Sequence, residues 1–455
     1  MNKEIKLSDS FTYKRLIQFS LPSIGVMIFT SIYGVVDGIF ISNFADEVSF
    51  AAVNFMYPYL MFFISFGYMI GTGGSALISF FLGMGEKKKA DEAFTELVVT
   101  VAAVGVFCTV IGQIFIRPVA VILGGSDEML RIGIKYGRIF LSTMTAFIMQ
   151  CAMQNFLITT ERPQLGFKYT VAAGVTNMVL DALFIGVFRW GVVGAAIATC
   201  LGMCVGGIGP VLYFASQKND SLLHFRKYKP DLKVLTKTLS NGASEFLMNA
   251  SLSIVNMEYN YQLLKYFGEY GISAYGVIMY VSFIFSGTYY GYSMAVAPIG
   301  GFHLGAGNGK ELKSLVKKSI IMTLASAAVL TVLAEIFAKP LAGVFTGSNP
   351  DLWALSSDAL RLYSTSYIFF SVNIFVMSFF AGLNKGMIST VISFLKGIGL
   401  QSLFIFTMPI LFGEDSIWLA VTAAEFCTLI VSTILMANEY KGFDHIQSVQ
   451  NTKKE

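Results

Sequence analysis

Leu82-Gly-Met-Gly-Glu-Lys-Lys88 and Leu304-Gly-Ala-Gly-Asn-Gly-Lys310 are one short pattern written twice. They lie 222 residues apart in a chain of 455, and each closes a long apolar run. The same offset relates Pro118 to Pro340 and Gly125-Ser126 to Gly347-Ser348, and with one inserted residue it relates Thr199 to Thr422. The chain is therefore one unit repeated, and both copies are too apolar for water. An internal repeat in a polytopic membrane chain is an architecture that seats a ligand between two similar halves.

Composition agrees. Hydrophobic residues make up 55% of the chain and charged residues 13%, with a mean hydropathy of +0.65. A soluble domain carries roughly 25% charged residues, so most of this length belongs in lipid or against other membrane helices. The net charge of +4 comes from basic residues in short loops, which is not a nucleic-acid footprint. All five cysteines (Cys108, Cys151, Cys200, Cys204 and Cys427) fall inside apolar spans. Cys200 and Cys204 are one helical turn apart, but no His or Cys group completes a metal set, so neither disulfides nor a structural metal are expected. The apolar stretch from Phe19 to Ile41 is longer than a signal-peptide core and lacks a small-x-small cleavage pattern, so it is read as a retained span.

A spanning helix needs roughly 20 apolar residues. That length predicts twelve: about 18–42, 50–82, 94–116, 132–159, 166–188, 191–215, 239–264, 272–303, 315–338, 357–383, 388–412 and 416–437. Barrel strands would instead show segments of about ten alternating residues. The fold expected is an all-α polytopic membrane protein with two parallel six-helix bundles. The first lobe covers 1–215, a linker rich in Lys, Arg and Asp covers 216–238, the second lobe covers 239–437, and a tail covers 438–455. Because each half holds an even number of spans, the copies share one orientation and are related by an axis along the membrane normal.

Counting Lys and Arg orients the chain. The side carrying both termini, the linker and the even-numbered loops holds 23, and the opposite side holds eight. The positive-inside rule then places both termini in the cytoplasm of a cell-membrane protein.

Ionisable residues inside spans are costly and mark candidate sites, a carboxylate costing on the order of 3 kcal/mol at mid-bilayer. Asp37 sits in span 1, within Tyr33-Gly-Val-Val-Asp-Gly-Ile-Phe40. Span 5 holds Asn177 and Asp181, four apart and so on one helical face, and span 6 holds Thr199. At 1.5 Å per residue, Asp37, Asp181 and Thr199 fall roughly 8–12 Å below the outer surface, with Asn177 about one turn deeper. Two carboxylates, an amide and a hydroxyl at similar depth form an oxygen-rich candidate site for a proton or Na⁺. The alternative is a set of separate polar residues, each satisfied locally.

In span 7, Glu245, Asn249, Ser253, Asn256 and Asn260 form a continuous polar stripe, with Glu258 on the opposite side. The stripe either lines a water-filled cavity that contacts a polar or cationic substrate or forms an interhelical hydrogen-bonding seam. Glu425 in span 12 and Glu335 near the end of span 9 are weaker candidates, Glu335 as an interfacial residue. Lys396 in span 11 either snorkels inward or pairs with an acid. The 41 Phe, 21 Tyr and 21 Met are mostly lipid-facing or packing residues, although such side chains also suit a cavity for varied apolar cations. The three histidines (His224, His303 and His445) have no ligand spacing and no Gly-rich phosphate loop occurs, so the chain does not read as an enzyme.

At these residues the chain resembles the multidrug and toxic compound extrusion (MATE) family, over nearly its whole length. The resemblance rests on Leu21-Pro22-Ser23 followed by Asp37, on Leu82-Gly-Met-Gly85, and on Asn177-Met-Val-Leu-Asp181-Ala-Leu-Phe-Ile185 continuing to Gly194-Ala-Ala-Ile-Ala-Thr199. Span 12, from Ile417-Trp418 through Glu425, resembles the DinF-type bacterial branch. What the resemblance implies is two six-helix lobes around a central cavity and cation-driven export of amphipathic, cationic drugs by a monomer. It also implies a cation site of Asp37, Asn177, Asp181 and Thr199, with span 1 bending near Pro22 as the site changes occupancy. A related branch carries a Glu lower in span 7, where this chain has Leu252 and where Glu245 and Glu258 are out of register. No cofactor is implied beyond H⁺ or Na⁺ as coupling ion. Two other functions fit a polytopic chain, a lipid-linked oligosaccharide flippase and a gradient-independent channel or receptor. At the repeat offsets Asp37 corresponds to Tyr259 and Asp181 to Phe404, so the cation site is expected in the first copy alone.

Overall fold

Apolar runs of this length have no water to hydrogen-bond their backbone, so each must satisfy its own N–H and C=O groups as a helix. In a computed structural model, which describes residues 5–44, 47–123, 127–216, 219–346 and 349–451, every long apolar run is helical and no strand occurs among the described residues. Gly125-Ser126, Gly347-Ser348, Lys3, Lys218, Lys453 and Lys454 lie outside the described residues.

Nine of these helices are long and apolar enough to cross a bilayer. One, Leu232–Gly305, is interrupted at Gly268 (φ 62°, ψ −152°), a left-handed conformation open to glycine, and so provides spans 7 and 8. The pair Pro350–Ser364 and Ser366–Gly382, bent by 45°, provides span 10. Its counterpart, Asp127–Ser142 and Met144–Thr159, provides span 4. Twelve spans result, six per repeat. The breaks inside spans 4 and 10 fall at Thr143 and Thr365, which are 222 residues apart.

Helices overrun the apolar runs that announce them. Span 1 is Tyr13–Phe44, span 3 Lys87–Leu123 and span 9 Gly309–Thr346. Span 12, Ala420–Asn451, continues well into the 438–455 stretch read as a tail. Hydropathy marks where lipid ends, whereas a helix continues as long as packing and hydrogen bonds support it. Here Lys313 pairs with Asp444 at 2.5 Å and Lys385 with Glu439, holding the extension against the bundle.

The opening pattern has a structural reason at each glycine. Gly85 (φ 76°) and Gly307 (φ 65°) adopt left-handed conformations that end spans 2 and 8. Met84 N–H donates to Phe80 O and Ala306 N–H to Phe302 O, and Glu86 N–H donates to Phe81 O as Asn308 N–H does to His303 O. Gly83 and Gly305 allow the two spans to touch. A Cβ at Gly83 would lie 2.0 Å from Phe302 O, and one at Gly305 2.1 Å from Phe80 O. Phe302 is Phe80 plus the offset, so the contact is reciprocal, as a two-fold axis between the copies requires. Gly73 and Gly242 extend this close packing, since a Cβ at Gly73 would lie 1.9 Å from Thr238 O and one at Gly242 1.8 Å from Met69 O. The halves are thus sealed together at the end that carries the chain termini.

Among the described residues two apolar cores follow the two halves, except that Ile158 of span 4 and the start of the chain join the second. Leu7, Phe11, Leu16 and Phe19, at the start of the chain, pack into the core built by the second half. Leu7 N–H also donates to Glu161 at 2.6 Å and Phe11 N–H to Glu311 at 2.8 Å, so this segment touches both halves. The linker lies along span 3, where the backbone N–H groups of His224, Arg226 and Asp231 donate to Asp91, Thr95 and Glu96. On the same face Asp220 pairs with Arg162 at 2.7 Å and accepts from Tyr213 Oη at 2.7 Å.

Candidate functional site

Span 5 ends its regular part at Asp181. The helix Pro163–Asp181 runs directly into a wider π-helical turn, Ala182–Val187, a local change often found at functional positions. Asn177, one turn before Asp181, faces span 6, where its Nδ2 donates to Thr199 Oγ1 at 3.3 Å. Thr199 in turn donates to Ala195 O at 3.0 Å within its own helix. Asp37 reaches the same place from span 1, close enough for its carboxyl group to interact with that of Asp181.

All four residues expected from the sequence are therefore brought together. Asp181 is fully buried and Asn177 nearly so. The oxygens Asp37 Oδ1, Asn177 Oδ1 and both Oδ of Asp181 are buried and accept no hydrogen bond within the protein. An ionised carboxylate only accepts, so two facing carboxylates cannot satisfy one another. Burying such a set is costly unless a proton or a cation stands among the oxygens. Hard oxygen donors of this kind suit H⁺ or an alkali cation.

Pro22 lies inside span 1, where it lacks the N–H that would bond Gln18 O. The helix nevertheless runs unbroken from Tyr13 to Phe44. Ser23, Val26, Gln154 and Met294 line a small cavity beside it.

The span 7 stripe is not one site. Glu245, Asn249, Ser253 and Asn256 are half-buried and Asn260 is exposed. Asn249 bonds back to Glu245 O at 2.8 Å within its helix. Asn256 accepts from Tyr275 Oη of span 8 at 2.9 Å, which matches the seam reading for that residue. Next to Glu245, Phe246 packs on Phe62 and Phe66 of span 2 across the boundary between the halves. Glu258 is half-buried, and Glu335 is 42% exposed and faces Arg361 at 4.0 Å, as an interfacial residue would.

A second polar centre lies inside the second half. Lys396 pairs with Glu425 Oε1, the two side chains being 8% and 2% exposed. Asn373 of span 10 donates to Glu425 Oε2 and to its backbone O, both at 2.8 Å. The Lys396 ammonium sits 3.6 Å from the centre of the Phe370 ring. A π-helical turn, Leu395–Gly399, carries Lys396 inward, and Gly397 within it lets span 11 approach Ser251 of span 7. Asn373 was not singled out by the sequence reading, because a lone amide in an apolar run carries no spacing signal.

Comparison with known proteins agrees with this fold. The MatE family profile matches residues 22–183 and 246–412, which is most of the chain and both repeats. The multidrug export protein MepA of Staphylococcus aureus (strain MSSA476) is 23% identical over 430 residues, covering 93% of each chain. MepA of Staphylococcus haemolyticus (strain JCSC1435) is 24% identical over 434 residues, covering 94% of each. A solved structure described as the outward-facing conformation of a multidrug resistance MATE family transporter of the MOP superfamily superposes with a TM-score of 0.91 at 22% identity, over 98% of this chain and 99% of that one. With twelve spans in two six-helix halves and a family profile that spans both, the chain belongs to the MatE family of multi-pass membrane transporters.

Proposed function

We propose that this transporter is a cation-coupled antiporter that exports amphipathic, cationic drugs or toxic metabolites by alternating access, with H⁺ or Na⁺ as the coupling ion. The observation that carries the reading is the group of buried oxygens on Asp37, Asp181 and Asn177 that lack a donor within the protein. A cation entering from the side opposite the termini neutralises the facing carboxylates and lets spans 1, 5 and 6 repack around it. Coupling then follows if cation and substrate each favour a different state of the two halves. Pro22 provides the flexible point in span 1, and the glycine-lined seal at the termini end is the contact that must open for the other state. The excess of Lys and Arg on the termini side supports a cytoplasmic location for both ends. Half-buried Glu245 and Asn249, beside the boundary between the halves, are the acid and amide best placed to contact a cationic substrate.

Purified protein in proteoliposomes, with ΔpH or ΔNa⁺ imposed separately, tests this reading. Asp37→Asn and Asp181→Asn should each abolish gradient-driven accumulation of an organic cation while leaving the protein monodisperse. Wild-type accumulation by both variants would sink the assignment. The ion gradient that supports wild-type transport names the coupling ion.

A further inference from the structure

We propose that Lys396 is the resident cation of the second half: its ammonium permanently occupies the acid pocket formed around Glu425, so that half takes no exchangeable ion. The inference deepens the antiporter reading by assigning ion exchange to the first half alone, and it rests on that reading for what is exchanged.

The pocket is built as a cation site. Glu425 supplies a buried carboxylate, Phe370 offers its ring face, and Asn373 fixes the second carboxylate oxygen while its own Oδ1 is buried without a donor. These groups come from spans 10 and 12, and the ammonium comes from span 11. Tyr290 of span 8 packs on Phe370 at 5.9 Å between ring centres and donates to Met248 of span 7, so the pocket is walled from both spans. The residues at the same repeat positions in the first half are Ala173 for Lys396, Gly202 for Glu425 and Cys151 for Asn373, none of them charged. The pair is therefore a feature of the second copy alone. A lone buried lysine or a lone buried glutamate would be costly; together, with the ring and the amide, each removes the other's penalty.

Propylammonium carries the atoms that Lys396→Ala deletes beyond Cβ, and is the probe. The readout is drug counterflow in proteoliposomes without any ion gradient, so it is independent of whether Asp37 and Asp181 couple transport. Lys396→Ala should lose counterflow by about tenfold or more, as expected for a buried acid left unpaired. Millimolar propylammonium should restore it, and propanol, which fills the space without the charge, should not. Wild-type counterflow without the amine would overturn the proposal. So would a variant that stays monodisperse and binds drug yet is not restored by propylammonium. If Lys396→Ala does not fold, Lys396→Met combined with Glu425→Gln decides the matter. With no acid left to neutralise, this double variant should show counterflow that propylammonium does not change, and stimulation by the amine would overturn the proposal. Failure of the antiporter reading is recognised separately, by gradient-driven accumulation that survives Asp37→Asn and Asp181→Asn.

Discussion

Asp181 in the first half and Glu425 in the second are both buried acids inside six-helix bundles of the same design. Asp181 faces another acid, Asp37, and neither of its carboxylate oxygens makes a well-formed hydrogen bond within the protein, although the Asn177 amide stands nearby. Glu425 has a lysine and an amide. Each acid is also served by a π-helical turn, which follows Asp181 directly in span 5 and carries the partner lysine in span 11. One scaffold thus supports two opposite electrostatic solutions, an acid site that needs something from outside and one that is complete. The two copies share backbone and packing but not the placement of charge.

The sharpest way to break this comparison is to remove one acid from each half and compare the sign of the change in stability. Glu425→Gln leaves the Lys396 ammonium buried without its counter-ion, and should lower stability by about 3–5 kcal/mol. Asp181→Asn instead brings amide donors to a group of unsatisfied acceptors, and should leave stability unchanged or raise it by about 1 kcal/mol. Thermal unfolding in detergent at neutral pH, without added Na⁺, reads both. Equal losses from the two variants would mean that the first-half acids are already satisfied by the protein, and the contrast would disappear.

The shared scaffold can be tested in the same way. Gly83→Ala and Gly305→Ala place methyl groups 2.0 and 2.1 Å from the carbonyls of Phe302 and Phe80. Because those contacts are reciprocal, the two substitutions should cost about the same, roughly 1–3 kcal/mol each. Both should also loosen the seal at the termini end, raising the reactivity of a cysteine introduced there toward a membrane-impermeant thiol reagent. A large effect at one glycine and none at the other would mean that the pseudo-symmetry seen in the backbone is not shared by the energetics.

Much of this was legible in the sequence, for a physical reason. Lipid forces helices, the repeat offset fixes which helices correspond, and a carboxylate in a span is too costly to be incidental. Those three facts are enough to place twelve spans and to single out Asp37, Asn177, Asp181 and Thr199. They did not locate what depends on side chains meeting across the bundle. Nothing in the spacing of Lys396 and Glu425, 29 residues apart on different helices, identifies them as partners, and Asn373 has no pattern at all. The stripe in span 7 shows the opposite failure. Its helical periodicity is real, yet Asn256 uses it to bond Tyr275 and Asn260 remains exposed, because periodicity gives a face without saying what covers it. The N-terminal Leu7 and Phe11 escaped notice because a few apolar residues among charges have no hydropathy signal, although both are buried against the second half.

The smallest expected difference between the halves lies at the two threonines that break spans 4 and 10. Thr365 Oγ1 lies 2.8 Å from Thr422 Oγ1 as well as 2.7 Å from Leu362 O, so it ties span 10 to span 12. Thr143 Oγ1 bonds Phe140 O at 3.1 Å within its own span. Thr199, the counterpart of Thr422, instead donates to Ala195 O and accepts from Asn177. The hydroxyl that braces the second bundle is thus drawn into the acid site of the first. Valine keeps the shape and removes the hydroxyl, so Thr365→Val should cost about 0.5–1 kcal/mol, in line with interhelical hydrogen bonds in membranes, and Thr143→Val less. Thr199→Val should scarcely change stability but should weaken ion-dependent transport, because it releases the Asn177 amide that the hydroxyl orients. If Thr422→Val were to alter ion dependence instead, the division between an exchanging half and a braced half would be wrong at the one residue of the acid site whose type the second copy keeps.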